Sequence, residues 1–137
     1  MIDPVFGQIE FRIDAWDGIV PFQFTPANTT QLAVHIWSDE SGPCDSQRST
    51  FRQFCNRLPE LWPTIAAGLA ECHPELKTVK KVQQHLNPTV GFYLESGATH
   101  GHHDFELAYG FDVDCENNRG FFVRVVGWQV ESTVLAE

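Results

Sequence analysis

The most ligand-like residues of this chain lie within five consecutive positions, His100-Gly101-His102-His103-Asp104. Imidazole and carboxylate groups bind zinc or nickel when neighbouring groups orient them. However, adjacent residues of an extended segment seldom all point at one ion, and no distant ligand can be identified. A metal-binding module or metal-dependent enzyme using His100, His102, His103 and Asp104 is therefore one interpretation. A polar turn at the start of a strand is the other.

A second polar group, Asp112-x-Asp114-x-Glu116, resembles the first half of a calcium loop. An EF-hand needs glycine at its sixth position and glutamate at its twelfth. Those positions hold Asn117 and Val123, so a hairpin turn rich in Asp and Asn explains the same residues without an ion. We expect no cofactor.

Catalytic motifs are not recognisable in this sequence. It contains no Gly-x-Ser-x-Gly, no phosphate-binding loop and no dinucleotide fingerprint. The carboxylates Glu95, Asp104 and Glu106 could form an acid–base pair, but any acidic protein offers such pairs. None of the four cysteines belongs to a Cys-x-x-Cys pair, and no histidine or asparagine partner can be nominated beside any of them: Cys44, Cys55, Cys72 and Cys115. The pattern favours a non-enzymatic role and leaves an enzyme with dispersed catalytic residues open.

Charge is unevenly distributed along the chain, whose formal net charge is −9. Residues 1–45 hold seven acidic residues and one basic residue, and residues 82–137 hold eight and two. The block between them is basic. Such a surface repels nucleic acid and attracts basic proteins, with association rates that fall as salt rises. The simpler interpretation is that the charge serves solubility.

These observations place a candidate binding surface on acidic turns and a sheet edge. Carboxylates there would steer a basic partner, and an exposed tryptophan would anchor it. The candidate residues are Asp14, Trp16, Asp17, Asp112, Asp114 and Glu116.

The elements that must position these residues are readable from the apolar pattern. Asp17-Gly18 predicts a two-residue hairpin turn that pairs Ala15 with Val20. Gln31 to Trp37 alternates and predicts a third strand. From Asp45 or Ser46 the period becomes helical, with a kink expected near Leu58 because Pro59 and Pro63 lack an amide donor.

A second, shorter helix is expected from Leu76 to Leu86, with Lys77, Lys80 and Lys81 facing outward. Three alternating segments around Val90–Leu94, Phe105–Phe111 and Phe121–Trp128 predict three more strands, the last two forming a hairpin. The expected fold is a single α+β domain over residues 1–137, an antiparallel sheet in the order β-β-β-α-α-β-β-β with helices packed on one face.

No apolar run is long enough for a membrane helix, and the N-terminus lacks a secretory signal, so a cytoplasmic location without membrane association is expected.

The order of a Trp-Asp-Gly hairpin, a central helix and a closing strand pair around Asp114-x-Glu116, Gly120 and Val125–Gly127 resembles small bacterial domain families of unknown function. Several of these families recur among toxin-immunity-like proteins. The resemblance implies a protein-binding domain, such as an immunity-type inhibitor, and no catalytic residues. A structural subunit that forms homodimers along a sheet edge is a further alternative.

Overall fold

The computed structural model describes residues 1–24, 29–72, 82, 86–110 and 120–135. Four strands precede the helix: β1 Ile2–Asp3, β2 Gly7–Arg12, β3 Ala15–Phe24 and β4 Thr29–Trp37. The helix α1 spans Asp45–Cys72. Four strands follow it: β5 Thr89–Thr99, β6 His102–Tyr109, β7 Phe121–Val126 and β8 Gln129–Leu135. No helix in the described ranges is long and apolar enough to cross a membrane.

All eight strands form one sheet in which their spatial order equals their order along the chain. Neighbouring strands are antiparallel except β4 and β5, which are parallel. Parallel neighbours need a long crossover, and α1 lies in the connection between them. The expected α+β class is thus confirmed. The expected element order was wrong, because β1 and β8 were missed and the sheet, rather than a pair of helices, dominates the described structure.

The N-terminal hairpin turns at a different place from the one predicted. β2 and β3 turn at Ile13-Asp14, and Gly18 lies within β3 opposite Ile9. A Cβ added to Gly18 would lie 2.7 Å from the Gln8 carbonyl oxygen and 2.8 Å from Ile9 Cγ2. Gly18 is therefore needed for the close approach of β2, and the Asp17-Gly18 turn, with its pairing of Ala15 and Val20, was wrong.

Helix α1 confirms the helical period, and Pro59 and Pro63 lie inside it without ending it. Its apolar stripe is buried against the sheet. The Phe54 ring centroid lies 4.7 Å from that of Phe92 and 5.2 Å from that of Phe105. A Cβ on Gly68 would approach Thr133 Oγ1 to 2.6 Å, so α1 also passes close to β8.

The first turn of α1 is joined to the sheet by the buried residue Gln47. Its Oε1 accepts a hydrogen bond from the Cys44 amide, and its Nε2 donates to the carbonyl oxygens of Trp37 and Glu95. This amide therefore holds the helix start at the end of β4 and at Glu95 within β5.

The second predicted helix lies mostly outside the described residues, as do Lys77, Lys80 and Lys81. Of that segment, Val82 and Leu86 are described and both are buried. The predicted hairpin between the segments at 105–111 and 121–128 is confirmed as the antiparallel pairing of β6 with β7. Gly127 and Trp128 then form a turn with positive φ at both positions, and β8 follows it.

Candidate functional site

The sheet has one face against α1 and one face that no described helix covers, which we call the open face. Strand alternation assigns the side chains, because successive residues point to opposite faces. In β4, Leu32, Val34 and Ile36 are buried toward the helix, whereas His35 and Trp37 lie on the open face and are partly exposed.

One row of residues crosses the open face with a single member from each of six strands. The register pairs Glu10 with Asp17, Asp17 with His35, His35 with Tyr93, Tyr93 with Glu106, and Glu106 with Arg124. We call these six residues the cross-strand row. Directly opposed side chains in a sheet are close enough to interact. Contacts are made between Asp17 and His35, between His35 and Tyr93, and between Glu106 and Arg124.

The middle of the row is aromatic. The His35 ring lies 4.9 Å from Trp37, edge to face, and 5.5 Å from Tyr93, measured between ring centroids. Trp37 and Tyr93 are 6.2 Å apart. His35 Nδ1 is 2.5 Å from Asp17 Oδ1. A carboxylate can only accept, so we assign a proton to His35 Nδ1, which donates to Asp17.

A groove of about 740 Å³ lies over the N-terminal part of the row. Its polar lining includes Glu10, Asp17 and His35, and its apolar lining includes Ile19 and Tyr93. Ile19 is 54% exposed. The groove thus combines carboxylates with aromatic and aliphatic surface.

A second groove of about 530 Å³ adjoins the first, and Phe11 lines both. Three carboxylates (Asp14, Asp39 and Glu40) line it together with Ile13 and Trp37. Ile13 is 96% exposed and has a φ of 63°, a conformation that is strained for a β-branched residue. Hydrogen bonds from the hydroxyl and amide of Ser41 hold the pKa of Asp39 below its ordinary value, which keeps that carboxylate charged.

The other end of the row is neutralised within the chain. Arg124 Nη2 lies 2.6 Å from Glu95 Oε1, and Arg124 Nη1 lies 3.3 Å from Glu106 Oε1. The hydrogen bond that Arg124 donates to the Glu95 carboxylate is the main reason that the pKa of Arg124 is raised. The two carboxylates on this end therefore share one guanidinium.

The predicted acidic surface is partly assembled. Asp14 lines the second groove and Asp17 the first. The role of Trp16 as an exposed anchor was wrong: it is 5% exposed, and its indole N–H donates to the Asp39 carbonyl oxygen at 2.8 Å. Strand alternation turns Trp16 toward the core and brings Trp37 to the open face instead. The remaining candidates, Asp112, Asp114 and Glu116, lie outside the described residues.

The predicted metal ligands are not brought together. His100 is exposed in the turn between β5 and β6, and His103 is 2% exposed on the helix side of β6. His102 and Asp104 fall on the opposite side, where the His102 ring packs 5.6 Å from Trp128 and Asp104 accepts from the Gly127 amide. Alternation along β6 separates them, and the described part of the chain contains no group of three metal-binding side chains.

His103, which lies apart from the other predicted metal ligands, is close to the thiol of Cys44. His103 Nδ1 lies 2.8 Å from the Glu95 carbonyl oxygen, and its Nε2 lies 2.9 Å from Ser46 Oγ and 3.9 Å from Cys44 Sγ. The histidine neighbour of Cys44 could not be predicted, because the two residues are 59 positions apart along the chain. With both ring nitrogens engaged, His103 fastens the start of α1 to β6.

His35, Trp37 and Tyr93 were not among the site residues predicted from the sequence. The alternation in β4 and β5 placed them opposite the core-facing residues, and this was the available signal. Their meeting depends on the parallel pairing of β4 with β5, which follows from the crossover and not from any local motif.

Together, the fold and the site define a sheet-dominated α+β domain with an acidic, aromatic open face. Comparison with protein-family models, with curated proteins and with solved structures finds no match to this chain.

Proposed function

We propose that this chain is a protein-binding domain that engages a basic partner protein through the open face of β2–β5. The observation that carries the proposal is the pair of adjoining grooves, which share Phe11 and place carboxylates around exposed apolar side chains. Interfaces combine an apolar centre with a polar rim, and this arrangement has that form.

The apolar centre is supplied by two exposed isoleucines and a tryptophan. Ile13 extends from the β2–β3 turn beside Trp37, and Ile19 lies at the first groove. An isoleucine at positive φ costs about 1 kcal/mol or more relative to a relaxed residue. Glycine would relieve that strain, so the strain at Ile13 is explained if the exposed isoleucine side chain has a role in contact.

The polar rim selects the charge of the partner. Glu10, Asp14, Asp17, Asp39 and Glu40 surround the two grooves, and among the described residues Arg12 is the one arginine or lysine that lines them. The net charge of −9 adds a long-range field of the same sign. A basic partner is therefore favoured both at contact and during diffusion, and its association is expected to slow as salt rises.

An immunity-type inhibitor in the bacterial cytoplasm is the specific form of this proposal, and it rests on the sequence resemblance described above. Toxin inhibition by charge complementarity needs no catalytic groups, in keeping with an acidic binding face.

The proposal can be tested with a displayed library of random peptides of about twelve residues, selected on the immobilised full chain. We expect the selected pool to be enriched in Lys and Arg next to apolar residues. Representative peptides should bind the Ile13→Gly variant at least about tenfold more weakly, equivalent to about 1.4 kcal/mol.

The matched control is Val134→Ala, which shortens an exposed apolar side chain at the far end of the sheet. Ile13→Gly relieves positive-φ strain, so a loss of folding would not be its cause. A pool without net positive charge, or one that binds Ile13→Gly as well as it binds the parent chain, would refute the proposal.

A further inference from the structure

Two carboxylates lie at or beside each end of the cross-strand row, and the two ends differ in how these carboxylates are neutralised. At the C-terminal end, Glu95 and Glu106 share the guanidinium of Arg124. At the N-terminal end, Glu10 and Asp17 are neighbours in the register. Arg12 reaches Glu10 at 3.1 Å, with both side chains about two-thirds or more exposed (67% and 70%). In the described part of the chain, His35 is the only side chain that bonds to Asp17.

Asp17 therefore holds accepting capacity that is not used. A carboxylate has about four lone-pair positions, and one is occupied by the His35 Nδ1 contact. The Asp17 side chain is 36% exposed and lines the 740 Å³ groove. A donor that enters the groove can reach it.

The rings beside Asp17 favour a flat cation. His35, Trp37 and Tyr93 are in mutual contact with centroids 4.9–6.2 Å apart. A guanidinium stacks on aromatic faces and at the same time donates in its own plane to a carboxylate, whereas an ammonium offers only a point charge. The chain itself uses this chemistry elsewhere, since Arg57 Cζ lies 4.7 Å from the ring centroid of Trp128.

We propose that Asp17, His35, Trp37 and Tyr93 form a receptor for one arginine side chain of the partner protein. This deepens the proposed function and rests on it. The guanidinium takes the place at the N-terminal end that Arg124 takes at the C-terminal end. It donates to Asp17 and stacks on the exposed ring surface.

The test uses N-acetyl-L-arginine amide as the probe, titrated into the isotope-labelled full chain and followed by NMR. We expect saturable shifts of the His35 ring and the Trp37 indole. N-acetyl-L-lysine amide should bind at least about fivefold more weakly, because it lacks the planar fork.

The variant Asp17→Asn is nearly isosteric, and we expect it to weaken arginine-probe binding at least about tenfold, the loss of one charge-assisted contact. Glu131→Gln removes the same charge from an exposed position on β8 and should leave binding unchanged. No saturable shift, equal lysine and arginine affinities, or equal losses in the two variants would each overturn the arginine site.

A failure here is distinguishable from failure of the proposed function. If the selected peptides bind in an Ile13-dependent way but tolerate replacement of every arginine by lysine, the receptor is refuted and the basic-partner proposal stands. If the selected peptides ignore Ile13 as well, both fail.

Discussion

The two halves of the open face both carry carboxylates, but they differ in how these carboxylates are paired. On β6 and β7, Glu106 and Arg124 stand opposite each other and close a local ion pair with Glu95. On β2 and β3, Glu10 and Asp17 stand opposite each other as like charges, which is unfavourable for an isolated sheet. The C-terminal half pairs its carboxylates with Arg124, whereas the N-terminal half has Glu10 and Asp17 beside a groove. Among the described side chains, Glu10 is paired only with the exposed Arg12 and Asp17 only with His35. The N-terminal half therefore keeps an excess of carboxylates, which a basic partner would neutralise.

The largest effect should come from breaking the N-terminal half alone. Gly18→Ala places a Cβ against the backbone of β2, and we expect the free energy of unfolding to fall by about 2–3 kcal/mol. Hydrogen exchange should show faster opening in β2 and β3, with β6 and β7 little changed below the global unfolding limit. Uniform acceleration across the sheet would show that the two halves are one cooperative unit.

The next effect concerns the ion pair that holds this half to the helix. Asp3 is buried, and Arg48 Nη2 lies 2.8 Å from its Oδ2. Burial alone would raise the pKa of Asp3, but hydrogen bonds from the Phe6 and Val5 amides and from Arg48 outweigh it and hold the pKa below the ordinary value of 3.8. We expect Asp3→Asn to cost about 2 kcal/mol near neutral pH.

The sign of the pH dependence follows from that lowered pKa. Asp3 stabilises the fold fully above its unfolded-state pKa and loses the contribution as the pH falls through the lower folded-state value. The stability gap between the parent chain and Asp3→Asn should therefore narrow below about pH 4. Denaturant titrations from about pH 3 to about pH 7 measure this difference in the free energy of unfolding. A difference that stays constant over this range would contradict the assignment.

A smaller effect should follow from adding a second cation, beside Arg12, to the N-terminal half. Ile19→Arg brings a guanidinium to the groove near Asp17, and we expect selected basic peptides to bind about tenfold more weakly, or about 1.4 kcal/mol. Val134→Arg adds the same charge at the far end of the face and serves as the control. Equal losses in the two variants would indicate a general charge effect instead of a local site.

The smallest effect is expected from a change in the C-terminal half of the open face. Arg124→Gln removes the cation from the C-terminal half, and we expect a stability loss below about 1 kcal/mol because all three side chains are partly exposed. The freed Glu95 and Glu106 should then give basic peptides a second, weaker site. Isothermal titration showing unchanged stoichiometry and affinity would indicate that unneutralised carboxylates do not suffice for binding.

Much of the fold was predictable where a periodic pattern was long. The stripe from Phe51 to Leu69 located α1, and the alternation of Leu32, Val34 and Ile36 located β4, because burial on one face repeats over many residues. The predicted turn at Asp17-Gly18 was wrong because Asp-Gly is a common turn sequence, whereas here Gly18 allows β2 and β3 to approach closely. The strained turn at Ile13 has no sequence signal.

The site was less predictable than the fold. Asp14 and Asp17 were identified from charge alone. Trp16 was predicted as an exposed anchor because it was placed at the tip of a hairpin turn, whereas it lies inside β3 and is buried. His35, Trp37 and Tyr93 meet through parallel pairing across a 28-residue helix. Such a meeting is set by topology and not by spacing along the chain.

The most direct test of the central claim is an NMR titration of the chain with a selected basic peptide, read at the tryptophan indole resonances. Trp37 lies on the N-terminal half of the open face and Trp128 lies beside His102 at the other end. We predict a saturable shift of the Trp37 indole resonance and no shift of the Trp128 resonance. A shift of Trp128 with Trp37 unmoved would place the partner elsewhere and contradict the account.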